Sequence, residues 1–381
     1  MLPRWISLYC TDMRFVYRTS FLYSILLFFI LSLSACGEFV GMEDDDTDTT
    51  GVEKVQIFIP QDKLYWLDSS VVNNRYTQCV LEKGKWRGDA VIKVRGNTSR
   101  GNHKKSFGLK IDGCKYMLER GQENGGIYNR IVMRAYQLAG VPACDIESVG
   151  LFINDSYIGC YNFITYYQEK ILKGELYKCR FHDSDLMVDN QPLRDKTKKE
   201  YPDDGNFSNL ELLIIAATKY TDADWNLFVN KNVDIEEVAS YMAVHDFFTV
   251  VDTRGANFYI NYYKKFRLIP WDNECCMLKN SSAFTLCDDN KLIKQFAAVP
   301  EVKEAYNRRM QDLFTGGGDT CILDQLQGEA ATMFDNLATA MESDPEYGMN
   351  KQKFMAEKAY VLNYLDKNTG RAADGDRLIL Y

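Results

Sequence analysis

The chain carries no excess of positive charge: 45 Lys and Arg stand against 53 Asp and Glu, a formal net charge of -8. That balance gives no support to nucleic-acid binding, which needs a basic face to neutralise phosphates. Histidine is scarce: His103, His182 and His245 are the whole supply in 381 residues, and they are scattered. No CxxC pair exists, which argues against a zinc ribbon. No apolar run reaches the roughly 20 residues of a membrane-spanning helix, and no internal repeat is visible. What the chain has in quantity is apolar and aromatic: 46% hydrophobic and 13% aromatic, with 24 Tyr and 21 Phe. That sets aside a disordered chain, a collagen-like repeat and a disulfide-dense miniprotein. The length allows a large core, in one domain or one domain with lobes.

The first 36 residues differ from the rest. Arg14 and Arg18 precede a 13-residue apolar run, residues 21–33, and Ser34, Ala35 and Cys36 follow. Basic flank, short apolar stretch and small residues describe a secretory signal. Met13, just before Arg14, is an alternative start. Leu33-Ser34-Ala35-Cys36 resembles a bacterial lipobox, in which cleavage precedes a cysteine that takes the lipid. The expected arrangement is a signal peptide over 1–35, a lipid on Cys36 and a tether over 36–52. The tether is acidic, with Glu43-Asp44-Asp45-Asp46 among Thr and Gly, a solvated linker composition. It resembles the export tag that sends lipoproteins of some Gram-negative bacteria to the outer face, so the expected place is the bacterial envelope, at the outer membrane. A chain starting at Cys36 has 42 basic and 52 acidic residues, net -10, and nine cysteines besides the lipid site. An odd number cannot all pair within one chain.

Beyond the tether, strands are predicted over 53–60, 89–95 and 105–111. The last two are joined by a polar connection, Gly96-Asn97-Thr98-Ser99-Arg100-Gly101-Asn102. It reads as a surface hairpin loop, or as a loop whose unobstructed N–H groups lie over phosphates. Helical periodicity runs over 127–139, with Gly140 and Pro142 as stop signals. A hairpin follows over 147–153 and 157–166, then a short strand at 176–179. Residues 182–206 read as a loop or small insertion. Helices are predicted at 209–219, 222–229 and 235–250, the last with Asp234 as N-cap and Glu237 completing a capping box. A strand pair over 258–263 and 266–272 precedes a mainly helical remainder. Strands first and helices second predict an α+β fold, a β-containing N-lobe (about 53–180) packed on a helical C-lobe (about 206–370).

One constellation carries chemistry. Asp252 ends the long apolar helix, Asn257 lies five residues on at the start of a strand, and Asp272 closes the return strand. A hairpin brings Asn257 and Asp272 together, and the preceding loop lets Asp252 face them. Their hard oxygens suit Mg²⁺ or Mn²⁺ bound through phosphates, with one carboxylate left to orient a hydroxyl. The step of five matches the spacing of catalytic Asp and metal-binding Asn in protein kinases, although no HRD or DFG surrounds it. The same three residues also read as a helix end, a strand start and a turn, and spacing alone leaves both readings open.

Several ordered stretches resemble the spore coat protein CotH kinase family. They are Arg95-Gly96-Asn97-Thr98-Ser99-Arg100 with Lys104-Lys105-Ser106-Phe107, and Asn129 in a helix that ends at Leu138-Ala139-Gly140-Val141-Pro142. Leu151-Phe152-Ile153-Asn154-Asp155-Ser156-Tyr157-Ile158-Gly159-Cys160-Tyr161 follows, then Leu176-Tyr177-Lys178, Asn257-Phe258-Tyr259 and Pro270-Trp271-Asp272. The resemblance runs over about 53–340. It implies an atypical protein-kinase-like, two-lobed fold that transfers phosphate from ATP to Ser or Thr hydroxyls of a protein. By the same resemblance Asp252 would orient the hydroxyl, and Asn257 and Asp272 would hold Mg²⁺ or Mn²⁺. Gly96, Asn97 and Ser99 would cover the phosphates. Lys105 would pair with phosphate, with Lys110 as the second choice and Arg95 assisting. Trp271 would pack near the nucleotide or wedge into the core beside Asp272. The chain departs from the family at Thr165, where a Glu is common, and in a short stretch between Asp112 and Asn129. A relative that kept the fold without catalysis would be an envelope module binding protein or glycan. A metal-dependent hydrolase using the same carboxylates would need a paired histidine or more acidic ligands.

Overall fold

The computed structural model describes residues 51–69, 75–96, 102–121, 124–180, 186–187, 192–251, 253, 256–277, 290–315, 320–348 and 351–367. The expected signal segment, Cys36, Asn97, Ser99 and Asp252 lie outside the described residues.

The N-terminal part is a closed barrel. Its members are β1 (Glu53–Phe58), β2 (Thr77–Lys83), β3 (Trp86–Arg95), β4 (Ser106–Ile111), β5 (Cys114–Arg120), β6 (Ile146–Ile153) and β7 (Ser156–Thr165). The order is β1-β2-β3-β4-β5-β7-β6, and a parallel β1–β6 pairing from Glu53↔Val149 to Ile57↔Ile153 closes it. Alternation fills the inside: Val55, Ile57, Leu81, Ile92, Val94, Leu109, Leu118, Val149, Leu151 and Tyr161 are at most 1% exposed. Each such side chain contributes about 1.5–3 kcal/mol. Helix α1 (Gln61–Ser69) joins β1 to β2, and α2 (Ile127–Leu138) packs outside the barrel against β6.

The second sheet has the order β11-β10-β8-β9, from β8 (Glu175–Arg180), β9 (Thr197–Tyr201), β10 (Ala256–Tyr263) and β11 (Lys265–Pro270). The helices are α3 (Leu193–Lys196), α4 (Ser208–Lys219), α5 (Asp222–Asn232), α6 (Ile235–Phe247), α7 (Lys291–Ala297), α8 (Pro300–Phe314), α9 (Leu323–Glu342) and α10 (Lys351–Lys367). The largest core cluster unites α2 with α4 through α10. The fold is therefore α+β, with a β-rich N-terminal region and a mainly helical C-terminal one.

The structure adds elements that patterning missed. Within 182–206, read as a loop or insertion, lie α3 and β9. In β9 the buried face carries Lys199, whose ammonium reaches Asp204 at 2.8 Å and the Asn206 carbonyl at 2.6 Å, so its charge hid the alternation. Asp234 caps α6, accepting from the Glu237 N–H at 3.2 Å. The reciprocal half of the capping box is absent, because the Asp234 N–H donates to the Phe266 carbonyl at 3.0 Å and Glu237 turns to Arg267 at 3.5 Å.

One buried ion pair ties the barrel to the helical part. Lys104, ahead of β4, meets Asp344, just past α9, at 2.5 Å. Asp344 also accepts the N–H groups of Cys160 (2.7 Å), Glu346 and Tyr347 (3.0 Å each). Gly159 makes the approach possible: a Cβ there would stand 2.4 Å from the Asp344 carboxylate, on a backbone with φ +124.

Candidate functional site

The site is built around the open end of the β10–β11 hairpin. Phe258 pairs with Pro270, which sets Asn257 and Asp272 at that end, as their spacing predicts. Both hold left-handed backbone, φ 60 at Asn257 and φ 59 at Asp272. That conformation costs about 1–2 kcal/mol for an L residue, and Asn and Asp tolerate it best. Trp271, 3% exposed, is locked in the core between them. It stacks on Tyr166 with centroids 4.8 Å apart and meets Tyr259 edge-on at 5.6 Å. The Tyr167 hydroxyl donates to the Pro270 carbonyl at 2.7 Å and accepts the Cys144 N–H at 3.2 Å. Trp271 is thus the wedge that fixes the position of Asp272.

Asp272 does not stand alone. Oxygens of Glu119, Asp272 and Glu274 all lie within 4.8 Å of one another. Glu119 comes from β5, opposite Asn162 of β7. Leu118 points into the barrel, so Glu119 points out of it, toward α2 and the hairpin end. Two amides hold its carboxylate: Asn162 donates at 3.0 Å and Asn129 at 3.1 Å. The Asn129 oxygen in turn accepts the Asn273 N–H at 3.2 Å, so one α2 side chain links Glu119 to the segment bearing Asp272 and Glu274. Asn162 also donates to the Gly126 carbonyl at 3.0 Å. Burial, followed by the charges of Asp272 and Glu274, pushes Glu119 up to about 8. Asp272 and Glu274 are partly open to solvent while Glu119 is buried. Clustered hard oxygens with one mouth to water, and a mutual repulsion that a cation would offset, fit a divalent ion such as Mg²⁺ or Mn²⁺.

Two cations also lie against Trp271. The Arg95 guanidinium, at the end of β3, lies 4.8 Å from the Tyr166 ring centroid and 5.9 Å from that of Trp271. The Lys178 ammonium, on β8, lies 4.6 Å over Trp271 and 5.4 Å over Tyr259. Burial, then the Arg95 charge, pulls Lys178 down to about 8 against the opposing pull of Asp272. Gly96 follows Arg95 with φ 107. Lys105 precedes β4, where its carbonyl accepts the Tyr161 hydroxyl at 3.0 Å. Lys110 lies over the Tyr76 ring at 4.6 Å, which Lys93 shares at 4.7 Å. The structure therefore brings Arg95, Trp271 and Asp272 together, sets Asn257 beside them, and seats Lys110 on a different aromatic ring.

Although Asp252 is outside the described residues, its neighbours are held. The Val251 N–H donates to the Cys275 carbonyl at 3.0 Å, and the Thr253 hydroxyl meets His245 Nε2 at 2.9 Å. The Thr253 carbonyl accepts from Asn290 at 3.1 Å. Burial pushes the thiols of Cys79, Cys144 and Cys160 up to about 12.

Sequence reasoning missed Glu119, Glu274, Asn162 and the position of Lys178. The signals were a Glu inside the apolar strand pattern of 114–120, and a second carboxylate two residues past Asp272.

Among curated proteins, none matches the chain. Among solved structures it is similar to the crystal structure of a Helicobacter pylori proinflammatory kinase, CtkA, at 10% identity and a TM-score of 0.30, covering 74% of this chain and 96% of that one. The family model described as CotH kinase protein matches residues 92–370, and the chain belongs to that family.

Proposed function

We propose that the protein transfers phosphate from ATP to Ser or Thr hydroxyls of a protein outside the cytoplasm, with Mg²⁺ or Mn²⁺ assistance. The observation that carries this reading is the carboxylate cluster of Glu119, Asp272 and Glu274 beside the cations on Trp271, in a chain of the CotH kinase family. Asp272 and Glu274 would hold the divalent ion, with Asn257 beside them and Glu119 closing the buried side. A bound ion there would offset charge on the phosphate oxygens. Asp252 would accept or orient the substrate hydroxyl. The bonds that hold Val251 and Thr253 support this role, because a hydroxyl must be aligned to a fraction of an ångström. Glu119 supplies a buried carboxylate one strand from Thr165, where family members commonly carry a Glu. The loop at Gly96, Asn97 and Ser99 would cover the phosphates.

The proposed domain arrangement is a signal peptide over 1–35, a tether over 36–52 and the kinase-like domain over 53–370. The proposed location is the bacterial envelope, at the outer membrane, held by lipid on Cys36. Among the described residues no helix is long and apolar enough to cross a membrane.

The test uses the full chain purified in detergent and incubated with labelled ATP and Mg²⁺ or Mn²⁺. Metal-dependent labelling of the chain or of an added protein, lost in Asp252→Ala and Asp272→Asn, is the expected result. Labelling equal in wild type and Asp252→Ala refutes the assignment of Asp252. No labelling and no nucleotide binding leaves the family's fold used as an envelope binding module.

A further inference from the structure

The closed end of the β10–β11 hairpin differs in character from the end that carries the carboxylates. Its tip reads Tyr262-Tyr263-Lys264-Lys265, and Lys264 at the apex holds left-handed backbone, φ 66. A second turn, residues 168–174, lies against it. Asn261 of β10 donates to the Lys173 carbonyl at 3.1 Å and to the Glu175 carbonyl at 2.9 Å, and a Cβ on Gly174 would stand 2.8 Å from the Tyr263 Cβ. In that turn Leu172 is buried, with its carbonyl accepting the Tyr201 hydroxyl, and Ile171 faces solvent. Ile171 is 60% exposed and Tyr263 44%. Lysines flank both: Lys170 and Lys173 on one turn, Lys264 and Lys265 on the other, all exposed. Lys170 Nζ meets Cys114 Sγ at 3.0 Å, and Lys264 lies 5.7 Å from the Tyr263 ring centroid. None of the four forms an ion pair among the described residues, whereas Lys115, Lys198 and Lys199 on adjoining strands are all held by carboxylates. The acids nearby in sequence are Glu169 and, beside Cys114, Asp112. Four exposed lysines around two exposed apolar side chains run against the net charge of -8 of the chain.

We propose that these two turns form a docking surface for a membrane that bears anionic phosphate headgroups. All four cations are lysines. An ammonium on a flexible stem is a point charge that adapts to mobile headgroups, whereas a fixed carboxylate on a protein partner is matched better by the fork of arginine. Tyr263 brings a ring with a polar tip, the kind of side chain that settles at headgroup level, and Ile171 brings an aliphatic group to enter just below it. Each lysine near an anionic surface strengthens binding about fivefold, so four together reach about 500-fold. A lipid on Cys36, as proposed above, would keep such a surface within reach, but the docking does not require it, and it is independent of phosphoryl transfer. Five residue steps separate the Tyr263–Lys265 pair from the Phe258–Pro270 pair, about 17 Å of strand. A membrane met by the tip therefore leaves the carboxylate end of the same hairpin clear of the headgroups.

The full chain is reconstituted by detergent removal into vesicles of phosphatidylcholine alone and of phosphatidylcholine mixed with phosphatidylglycerol, so that headgroup charge is the variable. Lysines are acylated briefly, and the modified positions are mapped by mass spectrometry. Lys173, Lys264 and Lys265 should react about fivefold more slowly on the anionic vesicles and regain their neutral-vesicle rate in concentrated salt. Lys303, exposed on α8, should react alike on both. In the Lys264→Gln/Lys265→Gln chain, Lys173 should lose its protection. Tyr263→Trp should add fluorescence that acyl-brominated lipids quench in anionic vesicles and not in neutral ones. Labelling of the unmutated chain needs no variant to fold. Equal acylation on the two vesicles, or protection of Lys173 that survives Lys264→Gln/Lys265→Gln, overturns the proposal. So does protection in detergent by soluble polyglutamate that anionic vesicles do not match, which assigns the tip to an acidic protein. Protection in detergent that grows with protein concentration assigns it to a second copy of the chain and overturns the membrane as occupant.

Discussion

Replacing Glu119 by Gln separates a metal-holding carboxylate from a merely structural one. The three carboxylates lie within 4.8 Å of one another. Two unit charges at such a distance repel by about 3–4 kcal/mol at the effective dielectric of a partly buried site. Without a cation Glu119 ionises only near pH 8; above that pH Gln removes one charge, and at any pH it keeps an oxygen to accept from Asn129 and Asn162. Without divalent ions the variant should therefore melt at or above wild type. With Mn²⁺ the order should reverse. An ion that binds only the folded state stabilises it by about 2.7 kcal/mol at one hundred times its dissociation constant. For a domain of roughly 300 residues that is a rise of about 4 °C in Tm. Glu119→Gln, with one ligand fewer, should show little of that rise.

The assay is a thermal melt of wild type, Glu119→Gln and Asp272→Asn in EDTA and across a Mn²⁺ and Mg²⁺ titration. The crossing of the two stability orders is the diagnostic feature. A carboxylate kept only to anchor Asn129 and Asn162 predicts a variant that is less stable than wild type in EDTA and that gains as much from Mn²⁺. Either result, or a wild-type Tm that does not respond to millimolar Mn²⁺, refutes the metal centre.

Other changes have signs fixed by the structure. Burial pushes Glu237 up to about 7 against the pull of Arg267. An acid raised in the folded state contributes stability fully below its unfolded value and loses it as pH rises through the folded one. Glu237→Gln should then match wild type near pH 4 and exceed it by about 3 kcal/mol at pH 8, read from urea unfolding at the two pH values. Gly126→Ala would place a Cβ 2.3 Å from Asn162 Nδ2 on a backbone with φ +74; a loss of about 2–3 kcal/mol and weaker Mn²⁺ binding are expected by denaturant titration and calorimetry. Lys104→Met leaves the Asp344 charge buried and should cost about 3–5 kcal/mol, with part of it recovered when Asp344→Asn is added, as a double-mutant cycle in thermal unfolding would show.

The hairpin end was legible in the sequence because its cause is local. Strands at 258–263 and 266–272 with a short basic turn fix the register of Asn257 and Asp272, and no distant residue is needed to place them. Asn129 was legible as part of a family pattern, but its task was not, since that task is to join Glu119 to the Asn273 N–H across 144 positions of chain. Glu119 itself was hidden. Its strand, Cys114–Arg120, carries Lys115, Glu119 and Arg120, and its three buried residues, Met117, Leu118 and Glu119, are consecutive, so alternation is blurred, and its partner Asp272 arrives only when the barrel packs on the second sheet. The choice between Lys105, Lys110 and Lys178 likewise turned on which aromatic ring each one reaches. Only tertiary packing decides that, and it gives Trp271 to Lys178 and Tyr76 to Lys110.

The charges around Trp271 also limit what the site accepts. A bare divalent cation would meet three carboxylates, but Arg95 and Lys178 nearby would repel it. A bare phosphate chain would meet the two cations, but the carboxylates would oppose it. A ligand carrying both signs, a divalent ion chelated by a polyphosphate, sets its positive end against Asp272 and Glu274 and its negative end against Arg95 and Lys178, so each repulsion is replaced by an attraction. The expectation is strong cooperativity: Mn²⁺ should tighten tripolyphosphate binding, and tripolyphosphate should tighten Mn²⁺ binding by the same factor, as linkage requires. Charge reversal on one side alone, as in Lys178→Glu, should lower that factor together with the phosphate affinity while leaving Mn²⁺ binding in the absence of phosphate equal to or stronger than that of wild type. If Lys178→Glu instead weakened Mn²⁺ alone and phosphate not at all, the two-sided site would be wrong.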